Sequence, residues 1–193
     1  SAPLLALHRA YPMAELTCLV SARWAPLLEH HPAIHRLLTY DRPESKTART
    51  RSLARLSFSL RKLRPDVTLN FNASPSSALL SFASGAPVRA NHFHGAKTAD
   101  RYSTVEIPGK NQSKTLLERD FDVLRAIGIE PPSADAPLTP QVFLTATEHK
   151  LATETLRARF ALQGPVLGIG LGRGDPNTLW PIERFAQVAL RWT

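Results

Sequence analysis

The sequence predicts an α/β protein built on a parallel sheet, followed by the opening of a second unit of the same kind. Three observations carry this reading. Short apolar runs alternate with helical patterns through residues 1–129, the signal for successive βαβ units. A Pro-rich segment, "EPPSADAPLTP" (130–140), cannot enter a helix or a sheet interior and reads as an extended connector. Beyond it, in 141–193, "GPVLGIGLGRGDPNTLWPIERFAQVAL" places an apolar run, a Gly-rich turn and an amphipathic helix in succession.

The elements follow in order. "APLLALHRAY" is a helix closed by Pro12, "AELTCLVS" a strand, "RWAPLLEHHP" a short helix and "IHRLLTYD" a strand. Residues 46–64 form a helix with Leu53, Leu56, Leu60 and Leu63 inward and Arg51, Arg55 and Lys62 outward. In "PDVTLNFNA" (65–73), Val67, Leu69 and Phe71 alternate as in a strand. Ser74 caps the next helix, Pro75 opens it and Gly85 stops it, and "VRANHFH" is a short strand. Residues 95–114 are polar and punctuated, a long loop of the kind that is functional or mobile. "TLLERDFDVLRAIGI" (115–129) is an amphipathic helix with Leu116, Leu117, Phe121, Leu124 and Ile127 on one side and Gly128 as its stop. "QVFLTATEHKLATETLRARFALQG" adds a strand and a helix capped by Thr145 or Thr147, and "PVLGIGLG" begins a fresh βα unit.

The 193 residues suffice for one or two domains, and their composition, 43% hydrophobic and 21% charged, is that of an ordinary globular protein. No apolar run approaches the roughly 20 residues that span a bilayer. "SAPLLALHRAYP" lacks the charged start and long apolar centre of a signal peptide. The single cysteine, Cys18, lies in an apolar run, which excludes a disulfide framework and fits a reducing compartment. A net charge of +8 suits an anionic partner: a phosphorylated sugar, a membrane surface or nucleic acid. Against nucleic acid stand the lack of a recognition-helix motif and of an aromatic stacking platform. His30, His31, His35, His92 and His94 have no carboxylate or cysteine at ligand spacing, so no metal site is expected.

The Gly-rich stretch holds Gly168, Gly170, Gly172 and Gly174. Its spacing matches neither the dinucleotide fingerprint nor the P-loop. What remains is that glycines let backbone N–H groups approach an anion. Arg173 adds a charge there and Thr178 a hydroxyl. The following "TLWPIERF", with Trp180, Pro181, Glu183 and Phe185, resembles the K-x-W-P-x-E-x-F signature of glycosyltransferase family 9, the ADP-heptose:lipopolysaccharide heptosyltransferases. Other blocks resemble the same family in the same order. These are "LHRAYP" before a "LV" strand, "PLLEHHPAI" before "YDR", "LRKLRPDVTLNFNASPSSALLSFASGAPVRANHF", and "LLERDFDVLRAIGI" with Glu118 and Arg119 in place.

The resemblance implies a GT-B architecture of two Rossmann-like domains. Residues 1–129 would be the acceptor-side domain, with its first strand lying before Ser1, and 141–193 the opening of the nucleotide-sugar domain. It implies transfer of heptose or a related sugar from a nucleotide sugar, ADP-heptose in the family, to an anionic lipid-linked lipopolysaccharide core. Its place would be the cytoplasm, peripheral at the inner membrane. No cofactor is implied. Gly172, Arg173, Gly174 and Thr178 would face the donor phosphates, and Asn72, His92, His94, Lys97 and Arg101 the acceptor. The departures are specific. The family's Gly-Asp turn, bearing the general base, would also precede Ser1, so the catalytic residue is not assigned. Thr178 stands where the family has Lys, and Asn70, Phe71, Asn72 and Ala73 replace Asp-Leu-Gln-Gly. A non-catalytic basic domain that binds anionic glycolipid or nucleic acid is the alternative.

Overall fold

The computed structural model describes residues 2–41, 43–72, 74–92, 102–109, 114–131, 141–160, 166–171 and 180–192. The chain divides into two compact units, Ser1–Phe143 and Leu144–Thr193. The first is α/β with parallel strands. Helix α1 (Ala2–Ala10) precedes β1 (Thr17–Val20); a 3-10 turn at Ala22–Leu27 leads to β2 (Arg36–Thr39). Helix α2 (Lys46–Lys62), β3 (Val67–Asn70), α3 (Pro75–Ala83), β4 (Val88–Asn91) and α4 (Leu116–Arg125) follow.

β1 pairs parallel with β2, Thr17 opposite Arg36 through Val20 opposite Thr39. β3 pairs parallel with β4, Val67 opposite Val88 through Asn70 opposite Asn91. Among the described residues these are two separate two-stranded sheets. Parallel pairs need a crossover between their strands, and the 3-10 turn and α3 supply it in each case. The far edge of β4 is not bare. Arg89 N donates to Thr104 Oγ1 at 2.8 Å and Asn91 N to Ser103 Oγ at 3.1 Å, while Thr104 N donates to Arg89 O at 2.9 Å. The described part of the expected long loop, 102–109, is therefore packed structure, with Ile107 buried. Segments 93–101 and 110–113, most of the rest of that loop, lie outside the described residues, as does 132–140 of the expected connector.

Helix α4 departs from the one-sided pattern. Phe121, Asp122, Val123 and Leu124 are all buried, and four successive helical residues cover the full circumference. Phe121 and Leu124 cluster with Ala6 of α1 and Ile129, whereas Val123 meets Ala90 of β4 and Ile107. Leu69 and Phe71 of the β3 segment pack against both clusters. Leu116, expected on the apolar side, is 71% exposed: it shares a face with the buried Val123 but stands at the first position of the helix, about two turns before it.

The helix ends follow from local chemistry. Ser74 accepts from Ser77 N as the cap of α3. Thr115 and Glu118 form a reciprocal capping box on α4: Thr115 N donates to Glu118 Oε2 at 2.7 Å and Glu118 N to Thr115 Oγ1 at 3.3 Å. Glu118 is held below the usual carboxylate range by the Thr115 backbone N–H, with the Thr115 hydroxyl next. At the other end Gly128 has φ +82°, with Gly128 N donating to Arg125 O and Ile129 N to Leu124 O, the Schellman pattern.

The second unit contains α5 (Ala146–Phe160) and α6 (Ile182–Leu190). Thr145, not Thr147, caps α5, again reciprocally with Glu148. Here the expected strands do not appear. Residues 144–145 and 166–171 carry no ladder, nor do 141–143 at the end of the first unit. Val166, Leu167, Ile169 and Leu171 remain exposed. An apolar run becomes a strand only when a neighbour takes its backbone hydrogen bonds, and no such neighbour is among the described residues. Trp180 packs edge-on against Phe185 of α6 at 5.0 Å between centroids.

Two stability outcomes are expected. A Cβ at Gly128 meets nothing within 4 Å, so Gly128→Ala costs only the left-handed backbone penalty, about 1–2 kcal/mol in urea unfolding. Thr115→Ala removes one half of the capping box and costs about 1 kcal/mol.

Candidate functional site

In an open parallel sheet, ligands gather outside the carboxyl ends of the strands. The carboxyl ends of β3 and β4 form a continuous polar array. Asn70 closes β3 and Asn91 closes β4, facing each other in register. Asn70 Nδ2 donates to Asn91 Oδ1 at 3.1 Å, and Asn91 Nδ2 donates to Ser103 Oγ at 3.2 Å. Asn91 is fully buried, so these bonds satisfy an amide that would otherwise be costly to enclose. Asn70 Oδ1 accepts from Asn72 N at 3.0 Å, and Asn70 O accepts from His92 N at 2.7 Å.

Asn70 thus brings two sequence-predicted acceptor residues, Asn72 and His92, to one end of the sheet. Asn72 is exposed and lies beside the first turn of α3, where the Ser77 hydroxyl donates to Asn72 O. His92 is 4% exposed. The array offers amide and hydroxyl groups that can orient a hydroxyl-rich ligand. The amides and hydroxyls are far less basic than a carboxylate. His94, Lys97 and Arg101, also predicted on the acceptor side, lie outside the described residues, as do the donor-side Gly172, Arg173, Gly174 and Thr178. Cys18 sits within β1, where burial pushes its thiol up, the direction of an inert side chain.

A second polar cluster escaped the sequence reading. Asp122, buried within α4, receives Lys114 Nζ on both oxygens at 3.0 and 2.9 Å and Arg125 Nη1 at 2.6 Å. Arg125 Nε also reaches Glu130 at 3.1 Å. Beside them opens a cavity of about 330 Å³ lined by Pro108, Gly109, Lys114, Glu118, Asp122 and Arg125. Two cations and two carboxylates balance there, and both cations already hold Asp122, so the cluster reads as a clamp on α4. The signal that could have revealed it is an acidic residue set between Phe121 and Val123, with Lys114 and Arg125 nearby in sequence.

Asp120, also on α4, has its carboxyl pushed up to about 6 by burial. Among the described residues, no three His, Cys, Asp or Glu side chains are placed to hold a metal ion. No helix there is long and apolar enough to cross a membrane.

Two solved structures share this fold over nearly the whole chain. The glycosyl transferase family 9 protein from Veillonella parvula DSM 2008 aligns with a TM-score of 0.75 and 18% identity, over 99% of this chain and 54% of its own. The E. coli ADP-heptose lps heptosyltransferase II aligns with a TM-score of 0.68 and 21% identity, over 99% of this chain and 56% of its own. The chain therefore spans about half the length of the structures it resembles. No protein-family model matches it, and no curated protein is significantly similar.

The clamp and Asp120 make opposite predictions. Asp122→Ala removes the buried partner of Lys114 and Arg125, both part-exposed, and is expected to cost about 1–3 kcal/mol in urea unfolding. For Asp120 the raised folded value means that the native state holds an extra proton between about pH 4 and pH 6. Its stabilising share is present below that window and lost as pH rises through about 6. Asp120→Asn is therefore expected to gain about 1 kcal/mol on wild type between pH 4 and pH 7, a figure reduced for partial solvation.

Proposed function

We propose that the chain is part of a GT-B glycosyltransferase that moves heptose or a related sugar from a nucleotide donor, such as ADP-heptose, to an anionic lipid-linked lipopolysaccharide core. The carrying observation is a fold shared over 99% of the chain with two glycosyltransferase structures, beside the resemblance of "WPIERF" to the family's signature. In this reading 1–129 is the acceptor-side Rossmann-like domain, 130–140 a linker and 141–193 the opening of the donor domain. Among the described residues each of the four strands pairs with one other strand only, and in this reading a further parallel strand between β1 and β3 would join the two sheets.

Sugar transfer requires a base at the acceptor hydroxyl and positive or N–H groups on the departing diphosphate. Gly172, Arg173, Gly174 and Thr178 would serve the diphosphate, with Thr178 supplying a hydroxyl in place of the family's Lys charge. Asn72 and His92, with His94, Lys97 and Arg101, would orient the acceptor. The base would come from a Gly-Asp turn on a strand preceding Ser1. The protein would work on the cytoplasmic side, peripheral at the inner membrane. A second reading, a non-catalytic basic domain for anionic glycolipid or nucleic acid, draws on Thr178 and the net charge of +8.

Residues 1–193 alone are expected to show no measurable sugar release from ADP-heptose in the presence of a lipopolysaccharide-core acceptor. Sequencing outward from the Ser1 and Thr193 codons is expected to find an open frame encoding a Gly-Asp strand upstream and further α/β sequence downstream, and that longer chain is expected to turn over. Turnover by residues 1–193 alone would remove the claim that the base lies elsewhere. A start and a stop codon bounding the chain would favour the binding-domain reading.

A further inference from the structure

The chain's positive charge is concentrated in one segment, and three of its cations share one exposed face. Residues 45–65 contain seven Lys and Arg and no Asp or Glu, so all other residues together carry only +1 of the net +8. This segment is almost entirely α2, a helix with no acidic residue along its 17 positions. At about 100° per residue, Arg51, Arg55, Phe58 and Lys62 fall within a stripe about 60° wide. All four are exposed, on the face opposite the half-buried Leu53, Leu56 and Leu60. Phe58, at the centre of the stripe, is 62% exposed, with Lys62 Nζ 4.6 Å from its ring centroid.

From this pattern we infer that the outer face of α2 docks on an anionic phospholipid bilayer. An acid-free row of cations complements the negative surface of such a membrane. A helix about 25 Å long lying flat presents the whole row at once. Phe58 argues for lipid over nucleic acid. An exposed ring amid cations gains by entering the headgroup and acyl boundary, and duplex phosphates give it no such environment. The long Arg and Lys stems reach past the ring to the phosphate level. This assignment deepens the peripheral contact proposed above, but it rests on α2 alone and stands apart from sugar transfer.

Co-sedimentation of the 193-residue chain with phosphatidylcholine vesicles, with and without phosphatidylglycerol, tests it. Binding is expected only with phosphatidylglycerol and is expected to fall with added salt. Each surface cation is worth about a fivefold change in partitioning, so the combined Arg51→Glu, Arg55→Glu and Lys62→Glu variant is expected to bind at least about 100-fold more weakly. Phe58→Ser is expected to weaken binding while leaving its salt dependence intact, and Arg51→Lys with Arg55→Lys to retain it. The single variants Arg55→Glu and Phe58→Ser decide the matter if the triple variant loses its circular dichroism. Equal binding to neutral vesicles, unchanged binding of the charge-reversed variants, or displacement from the vesicles by duplex DNA at equal phosphate would each overturn the assignment.

Discussion

The first unit is organised around the enclosure of helix α4. Burying Phe121, Asp122, Val123 and Leu124 in succession requires neighbours on every side, and α1, the β3–β4 sheet and the 102–109 segment provide them. Each apolar side chain fully enclosed in this way contributes about 1.5–3 kcal/mol. Asp122 is the cost of that geometry. A carboxylate drawn inside with its helix must find partners, and Lys114 and Arg125 supply them. Arg125 carries the connection onward to Glu130, just past the Gly128 turn.

The enclosed helix also fixes the candidate site. Leu69 and Phe71, which pack against α4, flank Asn70, and Asn70 organises the polar end of the sheet. The fully buried Asn91 sets β4 against both β3 and Ser103 through its side-chain bonds. Asn72 and His92 are thus held at the strand ends by their backbone N–H groups, which donate to the side chain and the carbonyl of Asn70 respectively. The apolar packing beneath and the amide network above depend on the same register.

The face of α2 has a different origin. Its leucines meet the body of the unit only partly, and no residue of the helix is fully buried. The helix keeps its outer cations because nothing in the described residues of the fold neutralises them as Lys114 and Arg125 are neutralised. Ion pairing at α4, and α2 cations that form no ion pair among the described residues, separate the polar residues that hold the fold together from those available to a partner.

Local signals determined much by themselves. Ser74 with Pro75, Thr115 with Glu118, and the glycines at 85 and 128 set helix ends from nearest-neighbour chemistry, and α1 to α4 and β1 to β4 were legible from periodicity. The resemblance to glycosyltransferase family 9 was also carried by short blocks whose order along the chain is a sequence property. Pairing was not legible in the same way. The apolar runs at 141–145 and 166–171 look like strands, yet a strand exists only where a second strand shares its hydrogen bonds. The Asp122 clamp was hidden for a related reason. A lone acid between apolar residues reads as one solvated edge of an amphipathic helix until tertiary packing closes around that edge and makes its charge partners obligatory.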